Sequence, residues 1–290
     1  VSYDEYRPRG FNVLPLVVKN LLILNGLFFL ATISLGDGFR VSLGGSNFEG
    51  LEDLLGLHYF AAHKFEPFQF ITYMFMHGSF THILFNMFAL WMFGNALENY
   101  WGPKRFITYY IITGLGAALT HYLVMYFFEL KPVLDQITIF LDAPTVEGFN
   151  AFVESDKFRI VSNEMQEKFM VFAPQYNQMV LTQPDLALQS AVDFMINYRI
   201  ELLNAPVVIG ASGAVFGILL AFGMLFPNSL IYIYFAIPIK AKYFVILYAA
   251  IELYSGMSKS GSNVAHFAHL GGMVFGFFLI LYWKKRMRFY

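Results

Sequence analysis

Apolar and polar positions in this chain do not alternate at the short periods of a surface strand or helix; they segregate into long blocks. A helix needs about 20 apolar residues to cross the hydrocarbon core of a bilayer, and several blocks approach that length. The run from Asn20 to Gly36, preceded by Leu14 to Val18 and interrupted only by Lys19, predicts span one, because the lysine stem can carry its ammonium to the interface. Ala31-Thr32-Ile33 is loosely cleavage-like, but the basic segment before the run is poor and the run is too long for a removable leader. Phe80 to Leu97 predicts span two, and Phe106 to Phe128, behind Pro103, Lys104 and Arg105, predicts span three. From Glu129 to Glu201 charge returns, Pro132, Pro144, Pro174 and Pro184 punctuate the chain, and short amphipathic helices lying on the membrane surface are expected, as over Leu186 to Leu203. Span four follows at Ile209 to Phe226, span five at Ala241 to Gly256 and span six at Val264 to Trp283.

The pattern therefore predicts an all-α membrane protein, a bundle of six transmembrane helices. Its organisation is one domain in three stretches: 1–128 with spans one to three and the first outer loop, an extramembrane insertion over 129–205, and 206–290 with spans four to six and a tail. Composition agrees, with 57% hydrophobic, 19% aromatic and 13% charged residues, against roughly 25% charged in a soluble domain. Of the 19 basic and 20 acidic residues, 16 fall between Glu129 and Glu201, so the spans are almost bare of charge. A net charge of −1 and the lack of any basic stripe argue against a nucleic-acid partner. Without cysteine there is no disulfide framework and no thiolate chemistry.

Orientation follows from Lys and Arg beside the spans. Arg7 and Arg9, Lys104 and Arg105, Lys240 and Lys242, and the tail Lys284, Lys285, Arg286 and Arg288 share one side if there are six spans. Both termini are then cytoplasmic, while the loop from Gly36 to Phe80, the acidic insertion and Lys259 lie outside. An odd number of spans would put the basic tail outside, which favours keeping the fifth span although Glu252 sits near its end.

Against apolar spans, polar side chains are conspicuous, because each is costly there unless used or satisfied. Span two opens with His82 and Asn86 one turn apart, span four with Gly210-Ala211-Ser212-Gly213, and span six with His266 and His269. In the six-span topology all three spans run from outside to inside, so His82, Asn86, Ser212 and His269 share one depth. Gly213, Gly217 and Ala221 form a small-residue stripe, as do Ala268, Gly272 and Gly276, which predicts close packing of spans four and six. That packing would bring Ser212 to His269, the minimum nucleophile and base. Unpaired N–H groups at the start of span four, with Asn86 and His82, would complete an oxyanion site. A Gly-x-Ser-Gly in a membrane helix is by itself ordinarily a packing motif, and a histidine near a span end ordinarily interfacial; their convergence is what favours chemistry.

In these motifs the chain resembles the rhomboid family of intramembrane serine proteases. His82-x-x-x-Asn86, Gly210-x-Ser212-Gly213, Ala268-His269-x-x-Gly272-x-x-x-Gly276 and Gly94-x-x-x-Glu98-x-x-x-Gly102 match the family's motifs in order, over about Phe70 to Phe128 and Pro206 to Trp283. The resemblance implies Ser212 as nucleophile and His269 as general base, a dyad without a carboxylate third member. It also implies His82, Asn86 and the Ser212 N–H as oxyanion donors, and His77 as a structural histidine. It implies single-span membrane-protein substrates met in the lipid bilayer, no metal or cofactor, and a multi-pass place in a bacterial inner membrane. Two departures stand out: Phe68-Gln69 replaces the family's tryptophan–arginine pair, and the insertion is far longer than the usual bacterial connection. Two alternatives remain: a metal hydrolase built on His77, His82, His266 and His269, which lacks a nearby carboxylate in sequence, and a non-enzymatic rhomboid-like protein that binds transmembrane segments. Glu98 reads as an acceptor for N–H groups at a helix or loop start.

Overall fold

The computed structural model describes residues 12–233, 236–258 and 263–287, so Arg7, Arg9, Lys259 and Arg288, used above for orientation, lie outside the described residues. The chain is mostly helical, and four helical stretches are long and apolar enough to cross a membrane: Leu16–Leu35, Phe80–Trp101, Pro103–Asp142 and Ala265–Lys285. Helix α1 (Leu16–Leu35) is followed by a loop that is itself folded. A hairpin of β1 (Arg40–Leu43) and β2 (Ser46–Glu49), then α2 (Gly50–Leu55), β3 (Leu57–His58) and the short α3 (Gln69–Thr72), lead to α4 (Phe80–Ala89). Helix α4 continues through a π turn at Leu90–Gly94 into α5 (Asn95–Trp101).

Helix α6 (Pro103–Met125) does not stop where span three is expected to end. It runs through a second π turn, Tyr126–Leu130, into α7 (Lys131–Asp142). Pro132 lies just after this π turn, inside the continuing helix, and π turns are a usual accompaniment of such interruptions of the helical ladder; Val133, Ile137 and Phe140 keep a buried face at helical spacing. The insertion continues as α8 (Val146–Val153), α9 (Asn163–Thr182) and α10 (Pro184–Asn204). Rather than separate surface helices, these pack on one another and on α7 around rings of Phe149, Phe158, Phe172, Tyr176, Phe194 and Tyr198.

The chain then pairs β4 (Val207–Val208) with β3 and enters α11 (Ser212–Leu225). The hairpin strands β5 (Leu230–Ile233) and β6 (Ile237–Lys240) precede α12 (Ala241–Met257) and α13 (Asn263–Met287). The long elements are helices, as expected of an all-α membrane protein, and among the described residues three small antiparallel ladders occur, all in connections between long helices.

The centre of the bundle is α6, α11 and α13 packed together. The two small-residue stripes serve this trio and not α11 and α13 alone. Gly213 also abuts Ala117 of α6, Gly217 abuts Thr113, and Gly276 abuts Tyr109, whose hydroxyl donates to the Gly217 carbonyl at 2.8 Å. At the opposite end from Ser212, Glu98 fills the role read for it: its carboxylate accepts from Val17 N and Val18 N at 2.9 and 2.8 Å, capping α1, which has no side-chain cap of its own.

Candidate active site

Two backbone contacts set the position of Ser212. β4 pairs with β3 of the loop between α1 and α4, and Gly210 N donates to the Tyr73 carbonyl at 2.9 Å. Gly210 holds φ at +121°, a region that favours glycine. A Cβ there would also meet His82 Nε2 at 2.8 Å, so glycine lets the α11 approach close against α4. The helix proper starts at Ser212, three residues later than expected, because the preceding residues are drawn into this extended, anchored connection. The first N–H groups of α11 consequently open beside the Ser212 hydroxyl.

His269 arrives from α13. A Cβ at Gly272 would overlap the carbonyl of Gly213, so the two backbones meet here without side chains between them. One turn away, His269 Nε2 lies 2.8 Å from Ser212 Oγ. Phe216, one turn along α11 from Ser212, stacks on the imidazole at 4.3 Å between centroids and 4° between planes, fixing its tilt. The other ring nitrogen, Nδ1, is 3.0 Å from Glu252 Oε2 on α12, and the same oxygen is 2.7 Å from Nδ1 of His266. Glu252 is buried. A carboxylate oxygen is the acceptor in both contacts, so each Nδ1 carries the proton and Nε2 of His269 presents its lone pair to the serine hydroxyl.

This is where the structure departs most from the sequence reading. The resemblance implies no carboxylate as a third member at His269, and the motifs give Glu252 no role; the one signal in the sequence is an ionisable residue inside an otherwise apolar span. The four histidines also do not converge as a metal site. His77 and His82 pair with each other, rings 4.9 Å apart. Among the described residues the group whose ligand atoms lie close enough to hold an ion is Glu252, His266 and His269.

The remaining expected residues line the same space. Ser79 caps α4 by accepting from His82 N at 3.2 Å, placing His82 on the first turn. Asn86, buried one turn below, donates through Nδ2 to the His82 carbonyl at 3.0 Å, which leaves its second amide hydrogen unspent. Both border a cavity of about 550 Å³ that has Ser212 at its head and mostly apolar walls, including Phe85, Leu219 and Phe244. His77 is buried behind them, with Nδ1 3.3 Å from the Phe75 carbonyl and Nε2 unpartnered. Burial, and then the neighbouring His82, hold it down at about 4, against the opposing pull of the Phe75 carbonyl.

Phe68-Gln69 also acquires a reason. Gln69 is fully buried, accepts from His58 N and Glu66 N, and donates to the carbonyls of Leu54 and Lys64, knitting the loop between α1 and α4. His58 faces Asp53 and Asn204 and not the cavity. Burial would raise Asp53, but hydrogen bonds from His58 and Lys64 outweigh it and bring the carboxyl down to about 2.

The sequence matches the rhomboid domain over residues 64–131 and 175–286, more than half of the chain. It is 33% identical over 103 residues to rhomboid-like protein 11, chloroplastic, of Arabidopsis thaliana, a stretch covering 35% of this chain and 34% of that protein. It is 41% identical over 59 residues to rhomboid protease GlpG of Salmonella newport, 20% of each chain. The chain thus spans no more than about a third of the length of these curated relatives.

Proposed function

The chain belongs to the rhomboid family of membrane proteins, and on that premise we propose that it is an intramembrane serine endopeptidase. The 2.8 Å contact between Ser212 Oγ and His269 Nε2 carries this reading. Ser212 attacks the scissile carbonyl while His269 takes its proton, and the acyl–enzyme bond forms as the peptide C–N bond breaks. His269 gives that proton to the leaving amine, then draws one from the attacking water and returns it to Ser212 Oγ as the ester bond breaks, which releases the carboxyl product and restores the site. The oxyanion is met by the Ser212 N–H, the spare amide hydrogen of Asn86 and the His82 ring, groups that border one cavity. Gly210, Gly213, Gly272 and Gly276 support this site by admitting close backbone approach, and His77 supports it from behind His82.

Six spans complete the proposed fold, with α11 and α12 added to the four longer stretches. At about 1.5 Å per residue, the 14 residues of α11 are too short to cross the hydrocarbon core alone. Ser212 would therefore sit recessed below the outer surface, reached by water from outside and by substrate from the lipid. The apolar walls between α4 and α12 suit a single-span membrane protein whose helix has locally unwound. Lys104, Arg105, Lys240, Lys242, Lys284 and Lys285 support cytoplasmic termini and, with the family, a place in a bacterial inner membrane.

Detergent-purified protein and its Ser212→Ala variant should be given a single-span reporter substrate and a fluorophosphonate probe. Wild type is expected to cleave and to be labelled, and the variant to do neither with its helices intact. Cleavage by the variant at the wild-type rate would sink the mechanism. A folded wild type that takes no label would favour the non-enzymatic, segment-binding alternative.

A further inference from the structure

The cluster that the proposed chemistry does not consume is Glu252 with its two histidines. Glu252 comes from α12, a helix that supplies no reacting group, and is buried although it stands in an apolar environment. An unpaired carboxylate there would be expensive, and this one has two imidazole partners on a single oxygen. The nearer is His266, the other His269, whose opposite nitrogen faces Ser212. Serine hydroxyl, imidazole and carboxylate thus stand in one line of hydrogen bonds, drawn from α11, α13 and α12.

We infer that Glu252 is a positioning residue that completes a Ser212–His269–Glu252 triad in this chain. The inference rests on the protease reading above, and adds to it a group that orients the base. With Nδ1–H donated to Glu252, His269 is held in the tautomer whose Nε2 can accept the serine proton, and the negative carboxylate offsets the charge that the ring gains when it does. In Ser-His-Asp hydrolases, replacing the aspartate by its amide leaves the geometry intact yet lowers kcat about 10⁴-fold through the wrong tautomer. His266 is the second donor that keeps Glu252 aimed, and Phe216 restrains the ring from its face. Among the described residues, the other titratable groups facing this cluster are Tyr248, one turn back on α12 beside Glu252, and His82, on α4 facing His269; α11 contributes no ionisable side chain over Ser212–Leu225.

Glu252→Gln keeps the volume and removes the charge. With a reporter substrate, kcat is expected to fall by about 100-fold or more while KM stays within about twofold, and Ser212→Ala run beside it should be inactive. A purely structural role would move thermal stability and KM instead. A folded Glu252→Gln protein with kcat within about threefold of wild type, while Ser212→Ala is dead, overturns the triad and leaves the protease reading standing; activity in Ser212→Ala overturns the protease reading itself. Where Glu252→Gln does not fold, isotope-labelled histidine in wild type provides the test. His269 should carry its proton on Nδ1 in a strongly downfield resonance, and an Nδ1 without a proton overturns the proposal. Loss of wild-type activity on chelation would overturn it too, since the same three side chains would then be metal ligands.

Discussion

Several of the residues that matter most here are polar groups at the end of a budgeted supply of hydrogen-bond partners, and His77 is the one whose shortage can be read out by pH. Its Nδ1 faces the Phe75 carbonyl, so Nδ1 bears the hydrogen of the neutral ring, while Nε2 is buried with no partner. Protonation would place a second N–H there, beside His82. The ring is therefore held neutral, at about 4 against an ordinary 6.5. The unfolded chain takes up this proton first as pH falls. Its contribution to stability is full above about 6.5, declines between about 6.5 and 4, and changes no further below that. At about 1.4 kcal/mol per unit, the loss amounts to at most about 3 kcal/mol. Thermal or denaturant unfolding in detergent at about pH 7 and pH 4 should show the acid penalty shrinking by up to that amount in His77→Asn, with other acid-sensitive groups cancelling in the comparison. An equal penalty in both proteins would show that His77 does not titrate on unfolding. Ser212, His269, His82 and Asn86 were legible as residues because each is a polar exception in an apolar block. Glu252 was equally exceptional, yet its partner is on another helix 17 positions away, and no local motif encodes which ring nitrogen it will meet.

Among elements, the contact that decides the site is the crossing of α11 and α13. Their stripes of small residues were visible in the sequence, and they did predict that Ser212 and His269 would meet. What spacing could not tell was that α6 shares both stripes, because Thr113, Tyr109 and Ala117 are unremarkable in an apolar span until the third helix is in place. The same limit explains α6 itself. Returning charge after Glu129 ends a hydropathy run, but an amphipathic helix tolerates that charge on one face, so the helix carries on as α7 past the expected end of span three. A methyl group at the closest point tests the crossing. Gly272→Ala sets a Cβ against the Gly213 carbonyl, which can yield only by moving the helices. A destabilisation of about 1–3 kcal/mol is expected, with cleavage reduced at least about tenfold as His269 draws away from Ser212. Gly26→Ala in α1, where a Cβ meets nothing within 4 Å, should change neither. Equal effects of the two substitutions on unfolding and cleavage would refute the close approach as the reason for glycine.

At the scale of the whole molecule, the question is how the insertion is coupled to the bundle. Residues 132–174 fall outside the matched family domain, and α8, α9 and α10 carry an aromatic core of their own in which Phe149 is buried against Tyr176 and Phe194. Helix α10 nevertheless leads straight towards Ser212. Between the two lie several independent anchors: Asn204, whose backbone and side-chain oxygens meet His58 and Lys64, the β3–β4 ladder, and the Gly210–Tyr73 hydrogen bond. Each ties the chain to the loop between α1 and α4, so disorder in the insertion should stop there. Phe149→Ala removes the centre of the aromatic core at a cost of about 3–5 kcal/mol. If that core opens separately from the bundle, amide exchange across α8 and α9 should rise by about 100-fold or more, while fluorophosphonate labelling of Ser212 changes by less than about threefold. Labelling that collapses together with exchange protection would mean that the anchors depend on the insertion. The insertion would then be part of what holds Ser212 in place, and not a unit mounted beside it.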